Sequence, residues 1–135
     1  MHAEELAKTI DHTLLKADTT SADVERLCRE AGEYHFAAVC VFPYYVPLAD
    51  SLLRGADVKV CSVISFPFGA DSLRVKVIAA EDAVARGADE VDVVINLPAF
   101  LSGDFGHVRN ELASVVRAVR MKAINTGRGL SLIHI

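Results

Sequence analysis

Tryptophan is absent from this 135-residue chain, and aromatic residues of any kind make up only 7% of it. Its 52% hydrophobic content must therefore come mainly from Ala, Val, Leu and Ile, a mixture that suits strands buried on both faces beneath small-residue helices. No apolar run reaches the roughly 18 residues that a membrane span needs. No Lys/Arg block or basic amphipathic stretch points to nucleic acid or a membrane surface; the 14 basic and 18 acidic side chains are scattered and sum to −4. Cys28, Cys40 and Cys61 are an odd number without C-x-x-C spacing, which argues against a disulfide framework or a zinc site and for reduced thiols. The opening Met1-His2-Ala3-Glu4-Glu5 is acidic where an export signal would be basic and then apolar. The expectation is one domain, of α/β type, in the cytoplasm.

What is there alternates. Thr20-Ser21-Ala22-Asp23 offers a capping box ahead of a helix carrying Val24, Leu27, Cys28 and Ala31 on one stripe. Residues 36–41 read as a buried strand, and Pro43 opens a helix whose first turn Pro47 makes irregular. Residues 58–66 read as a strand, 72–86 as a helix, 91–95 as a strand and 103–123 as a helix. Gly55-Ala56-Asp57 and Gly87-Ala88-Asp89 each close a helix and lead into a Val-rich strand, the glycine suiting a left-handed C-cap. Such alternation implies right-handed βαβ units and a parallel sheet. A doubly wound dinucleotide fold would want G-x-G-x-x-G after its first strand, and the chain has none. A (β/α)8 barrel usually needs about 250 residues, so the pattern favours the first half of one.

In Asp89-Glu90-Val91-Asp92-Val93-Val94-Ile95-Asn96, strand alternation puts Asp92, Val94 and Asn96 on one face and Val91, Val93 and Ile95 on the other. The aliphatic face meets the helices, and Asp92 points into the barrel. A carboxylate among valines must become neutral or find a cation, which makes Asp92 a candidate acid/base group; the alternative is a structural Asp bonded to a neighbouring strand or water. Cys40 closes a strand and reads first as a small buried hydrophobe. Asp11 and Thr13 precede the first strong helix and suit local backbone bonding. Ser65-Phe66-Pro67-Phe68-Gly69 would lie at the active face of a barrel, although a plain Pro/Gly turn also explains it. The five histidines show no metal-ligand spacing, so no metal is expected.

Four segments together carry a resemblance. Ile10-Asp11-His12-Thr13-Leu14-Leu15-Lys16 resembles the opening signature of deoxyribose-phosphate aldolases. Ala38-Val39-Cys40-Val41-Phe42-Pro43 is similar to what reads as the family's first-strand motif. The stretch from Val60 through Ser65-Phe66-Pro67-Phe68-Gly69 is similar to its second, and the one from Gly87-Ala88-Asp89 to Asn96 to its third. The resemblance implies a (β/α)8 TIM barrel. The implied reaction is reversible cleavage of 2-deoxyribose 5-phosphate to glyceraldehyde 3-phosphate and acetaldehyde. It would run through a lysine Schiff base, without metal or other cofactor. An amine condensed with acetaldehyde is an electron sink that lets the α-carbon lose a proton and attack the second aldehyde. By the same resemblance Asp92 is the acid/base aspartate, while Asp11 and Cys40 line the substrate end. The partner is then a small phosphorylated sugar, not nucleic acid or membrane, with self-association of the full-length protein left open.

The family's Schiff-base lysine, activating lysine and phosphate loops lie on later strands. Lys8, Lys16, Lys59, Lys76 and Lys122 fall on helices, loops or the wrong strand end, so the isolated chain is expected to be inactive. Residues 1–129 are expected to be the N-terminal part of the barrel domain. Leu130-Ser131-Leu132-Ile133-His134-Ile135 matches one translated frame of a common transposon sequencing adapter and is expected to be a non-native tail. A half-barrel is also expected to leave its apolar inner face uncovered. Two other readings stand beside this one: a Schiff-base barrel aldolase acting on a different sugar, and a short non-catalytic binding or assembly module.

Overall fold

The computed structural model describes residues 1–127 and 132–134. Along them run α1 (Ala3–Ala7), β1 (Asp11–Thr13), α2 (Ser21–Tyr34), β2 (Ala38–Val41), α3 (Val46–Leu52), β3 (Lys59–Ile64), α4 (Leu73–Arg86), β4 (Glu90–Val93), α5 (Leu97–Leu101), α6 (Phe105–Thr126) and β5 (Leu132–His134). The sheet order is β1-β2-β3-β4-β5, and every neighbouring pair is parallel. A doubly wound sheet reverses its strand order partway and cannot run in simple chain order. Consecutive parallel strands, each joined to the next through helix, are the singly wound arrangement of a (β/α)8 barrel, and this chain forms its first part.

Local sequence explains most of the elements. The Thr20 side chain accepts from the Asp23 amide while the Asp23 carboxylate accepts from the Thr20 amide, so the capping box starts α2 as expected. Val24, Leu27, Cys28 and Ala31 form its buried stripe. A single 3-10 turn, Pro43–Tyr45, precedes α3, the irregularity that the two prolines call for. Ser72 caps α4 and Asp104 caps α6, each accepting from the amide three residues on. On α6, Glu111, Val115, Val119 and Ala123 recur every fourth residue and face inward.

The sheet begins one strand earlier than residues 36–41, at Asp11–Thr13. This segment has no apolar alternation, and Asp11 and Thr13 are exposed. It is a strand because its backbone pairs with β2, with Thr13 opposite Cys40, and not because burial demands it. The strands read from sequence as first, second and third are therefore the second, third and fourth. The repeated Gly-Ala-Asp segments also differ from each other. Gly87 caps α4 at φ 131°, as expected, while Gly55 (φ 83°) lies in the turn beyond the α3 cap, Leu53. Their aspartates act as staples at the N-terminal end of the sheet. Asp89 accepts from the Val60 amide of β3, and Asp57 accepts from Lys8 and His35, which hold its carboxyl down at about 2.

Two apolar layers result. Val39, Val41, Val60, Ile64, Val91 and Val93 face the helices, packing with residues such as Ala80, Ala83, Val115 and Val119. Ala38, Cys40, Cys61 and Val63 face the barrel interior. They are not left bare: none is more than 4% exposed, because the side chains are small and Leu15 and Phe42 pack over them. Residues 128–131 and 135 lie outside the described residues, and with them half of the hexapeptide expected to be non-native. Its Leu132–His134 is paired with β4.

Candidate active site

Strand alternation on β4 gives the site its polarity. Val91 and Val93 are buried against the helices, and the half-buried Asp92 faces the interior. From β2, Cys40 reaches the same space, its Sγ 3.7 Å from Asp92 Oδ2. Both line a cavity of about 390 Å³ at the C-terminal end of the strands, with Thr13, Val63, Phe66 and Val94. That is the end at which barrels carry their chemistry. Asp11 shares the inner face by register with Ala38, one layer nearer the N-terminal end. Thr13, not Asp11, lines the cavity. The structure thus brings together two of the three residues singled out from sequence. Thr13 and Phe66 were the ones whose place in the wall sequence reasoning underrated. The signal for Thr13 was its position in the opening motif; for Phe66, it was the Pro/Gly turn expected at the active face.

Cys61 lies beneath, opposite Cys40 in the ladder. The two thiols and the carboxylate each place a ligand atom within 4.8 Å of the others. This set would suit a soft cation, but only after a proton is displaced. The hydrogen bond with Cys40 first, then burial, then the neighbouring charges of Cys40 and Asp92 push the Cys61 thiol far up. Burial alone lifts Cys28, on α2, to about 11. Cys28 and Cys61 are therefore packed thiols and not nucleophiles. Asp92 contributes its carboxylate to the cavity wall.

The loop after β3 shapes the rim. Ser65 sits at φ 58°, its hydroxyl donating to Asp71 Oδ2 at 2.8 Å, and the Gly69 amide closes the turn on the Ser65 carbonyl. Gly69, at φ 67°, lies so close to the segment following β4 that an added Cβ would be 1.8 Å from the Ile95 carbonyl oxygen. No rotamer change can relieve a clash with backbone. Gly69→Ala is expected to cost about 3 kcal/mol through the positive φ and the forced backbone shift. Urea unfolding checks this, and a loss below about 1 kcal/mol would mean that the loop is not pressed against Ile95.

No lysine among the described residues lines the cavity. Lys8 pairs with Asp57 at the opposite end, and Lys59 is exposed where β3 starts. Lys16 is exposed in the loop after β1, and Lys122 lies on α6. Lys76 was expected simply to fall on a helix. It does, but it is wholly buried, paired with Glu111 of α6.

The family described as DeoC/LacD family aldolase matches residues 6–125. A deoxyribose-phosphate aldolase of Thermoanaerobacter pseudethanolicus is 53% identical over 115 residues, which are 85% of this chain and 52% of that protein. Among solved structures, an aldolase called QR15 is 40% identical with a TM-score of 0.82, over 86% of this chain and 52% of its own. A deoxyribose phosphate aldolase from Aeropyrum pernix, described as having a unique tetrameric structure, is 29% identical with a TM-score of 0.69, over 98% of this chain and 64% of its own. The chain spans about half the length of the curated relatives it matches.

Proposed function

This chain belongs to the DeoC/LacD family of aldolases, and from that premise we propose that the complete protein cleaves 2-deoxyribose 5-phosphate reversibly to glyceraldehyde 3-phosphate and acetaldehyde. The observation that carries the proposal is a carboxylate, Asp92, set among inward-facing apolar side chains at a cavity on the active end of the strands. Retro-aldol chemistry through an imine needs a group that moves protons at the α-carbon and the sugar hydroxyl, and Asp92 is the group placed to do so. Cys40 and Thr13 form the wall against which a small aldehyde would sit. Asp11, deeper on the same face, completes the polar end of the site once the remaining strands close around it. The nucleophilic lysine, its activating partner and the phosphate-binding loops are assigned to strands that these residues do not supply. We also read the complete protein as a cytoplasmic enzyme that needs no metal, with residues 130–135 a tail foreign to it.

The test is to recover the coding DNA, read past the codon for Gly129, and assay the complete product for release of glyceraldehyde 3-phosphate from 2-deoxyribose 5-phosphate. Cleavage is the expected result. A native stop directly after Ile135 would defeat the proposal and favour the binding-module reading; a complete product that leaves this sugar intact would defeat it in favour of an aldolase acting on a different sugar.

A further inference from the structure

We propose that Lys76 is a positioning residue for the site, holding the end of the strand that presents Asp92; the inference rests on the aldolase reading above. Lys76 and Glu111 are wholly buried, one on α4 and the other on α6. Lys76 Nζ donates to Glu111 Oε1 and, at 2.9 Å, to the carbonyl of Val94. The second Glu111 oxygen lies 3.4 Å from Nε2 of the partly exposed His107.

A buried ion pair is a poor way to fasten two helices, because its desolvation offsets most of its attraction and apolar side chains of similar volume do as well or better. The surrounding α4–α6 contact is already apolar, with Ala80, Ala83, Val115 and Val119. What apolar residues could not supply is a donor for Val94. Val94 is two residues beyond Asp92 and forms part of the cavity wall. Among the described residues the last pair of β4 with β5 is Asp92 with His134, and Val94 lies two residues further along. Its amide donates to Ile64 on one side, Lys76 takes its carbonyl on the other, and Gly69 presses on Ile95. These three contacts fix the direction in which β4 leaves the sheet, and with it the angle at which Asp92 meets Cys40.

The experiment compares the complete protein with Lys76→Met/Glu111→Leu, an apolar pair of similar volume, and with Glu111→Gln, which keeps an acceptor for the amine. The double variant is expected to melt within about 5 °C of the parent. Its kcat should fall about 10- to 100-fold while KM stays within about threefold, as befits a displaced acid/base group. Glu111→Gln should retain at least about a third of the parental kcat, since Lys76 still reaches Val94. A double variant with parental kcat would overturn the proposal. So would one that fails to fold, because the pair would then have a purely structural reason to exist. If the parent itself shows no aldolase activity, the aldolase reading has failed, and amide exchange in the 135-residue chain decides the rest. Exchange at the Val94 amide, which donates to Ile64, about tenfold faster in the double variant supports Lys76 as the anchor of β4, and unchanged exchange refutes it.

Discussion

Incubated with acetaldehyde and borohydride, the 135-residue chain gains no mass, whereas the complete protein is trapped as an ethyl adduct on a lysine beyond residue 129. The expectation comes from where the five lysines sit. Imine formation needs an unprotonated amine beside the aldehyde, with an acid/base group in reach. Lys8 and Lys59 are at the N-terminal end of the sheet, away from the cavity. Lys16 and Lys122 lie outside the cavity wall. Lys76 is close in sequence to the site, yet its amine is turned away into the α4–α6 interface and engaged by Glu111 and Val94. The difference between chain and complete protein should be all or none, read by intact mass and by the modified peptide. An adduct on Lys16 or Lys76 of the short chain, formed at the rate of the complete protein, would relocate the nucleophile and break the mechanism proposed here.

How much of this could be seen in the sequence depended on the range of the interaction. Features set within a few residues were legible. The Thr20–Asp23 capping box, the broken start of α3 and the alternation of Val91, Asp92 and Val93 all follow from local geometry. Because the face of a strand is fixed by parity, the inward aim of Asp92 could be deduced without any knowledge of its neighbours. Features set by pairing across the fold were not. Asp11–Thr13 is a strand only because β2 lies beside it. Its own residues, two of them exposed, carry no strand pattern. Lys76 read as an ordinary helical lysine, which is usually solvated. Its burial depends on Glu111, 35 residues later on another helix. The cluster of Cys40, Cys61 and Asp92 comes from three strands and has no local spacing to announce it. The cover that Leu15 and Phe42 give the inner face was missed for the same reason.

Asp92→Asn in the complete protein should lower kcat by about 10²- to 10⁴-fold, the range that a positioned proton carrier contributes. The substitution is nearly isosteric, and the amide can still accept at one oxygen. Packing around Cys40 and Val63 should therefore survive, with an unchanged melting curve. What the amide cannot do is take a proton from one atom and return it to another. The variant should accordingly still bind the sugar phosphate, with KM within a few-fold of the parent, and fail at turnover. Cys61 offers an internal control. Its thiol is held up mainly by the Cys40 hydrogen bond and by burial, with the Asp92 charge a lesser cause. It should therefore stay unreactive toward a thiol reagent in the variant, which would show that the interior has not opened. If kcat instead stays within tenfold of the parent while the fold is intact, Asp92 is a structural carboxylate bonded inside the barrel. The proton carrier would then have to come from one of the strands still to be supplied.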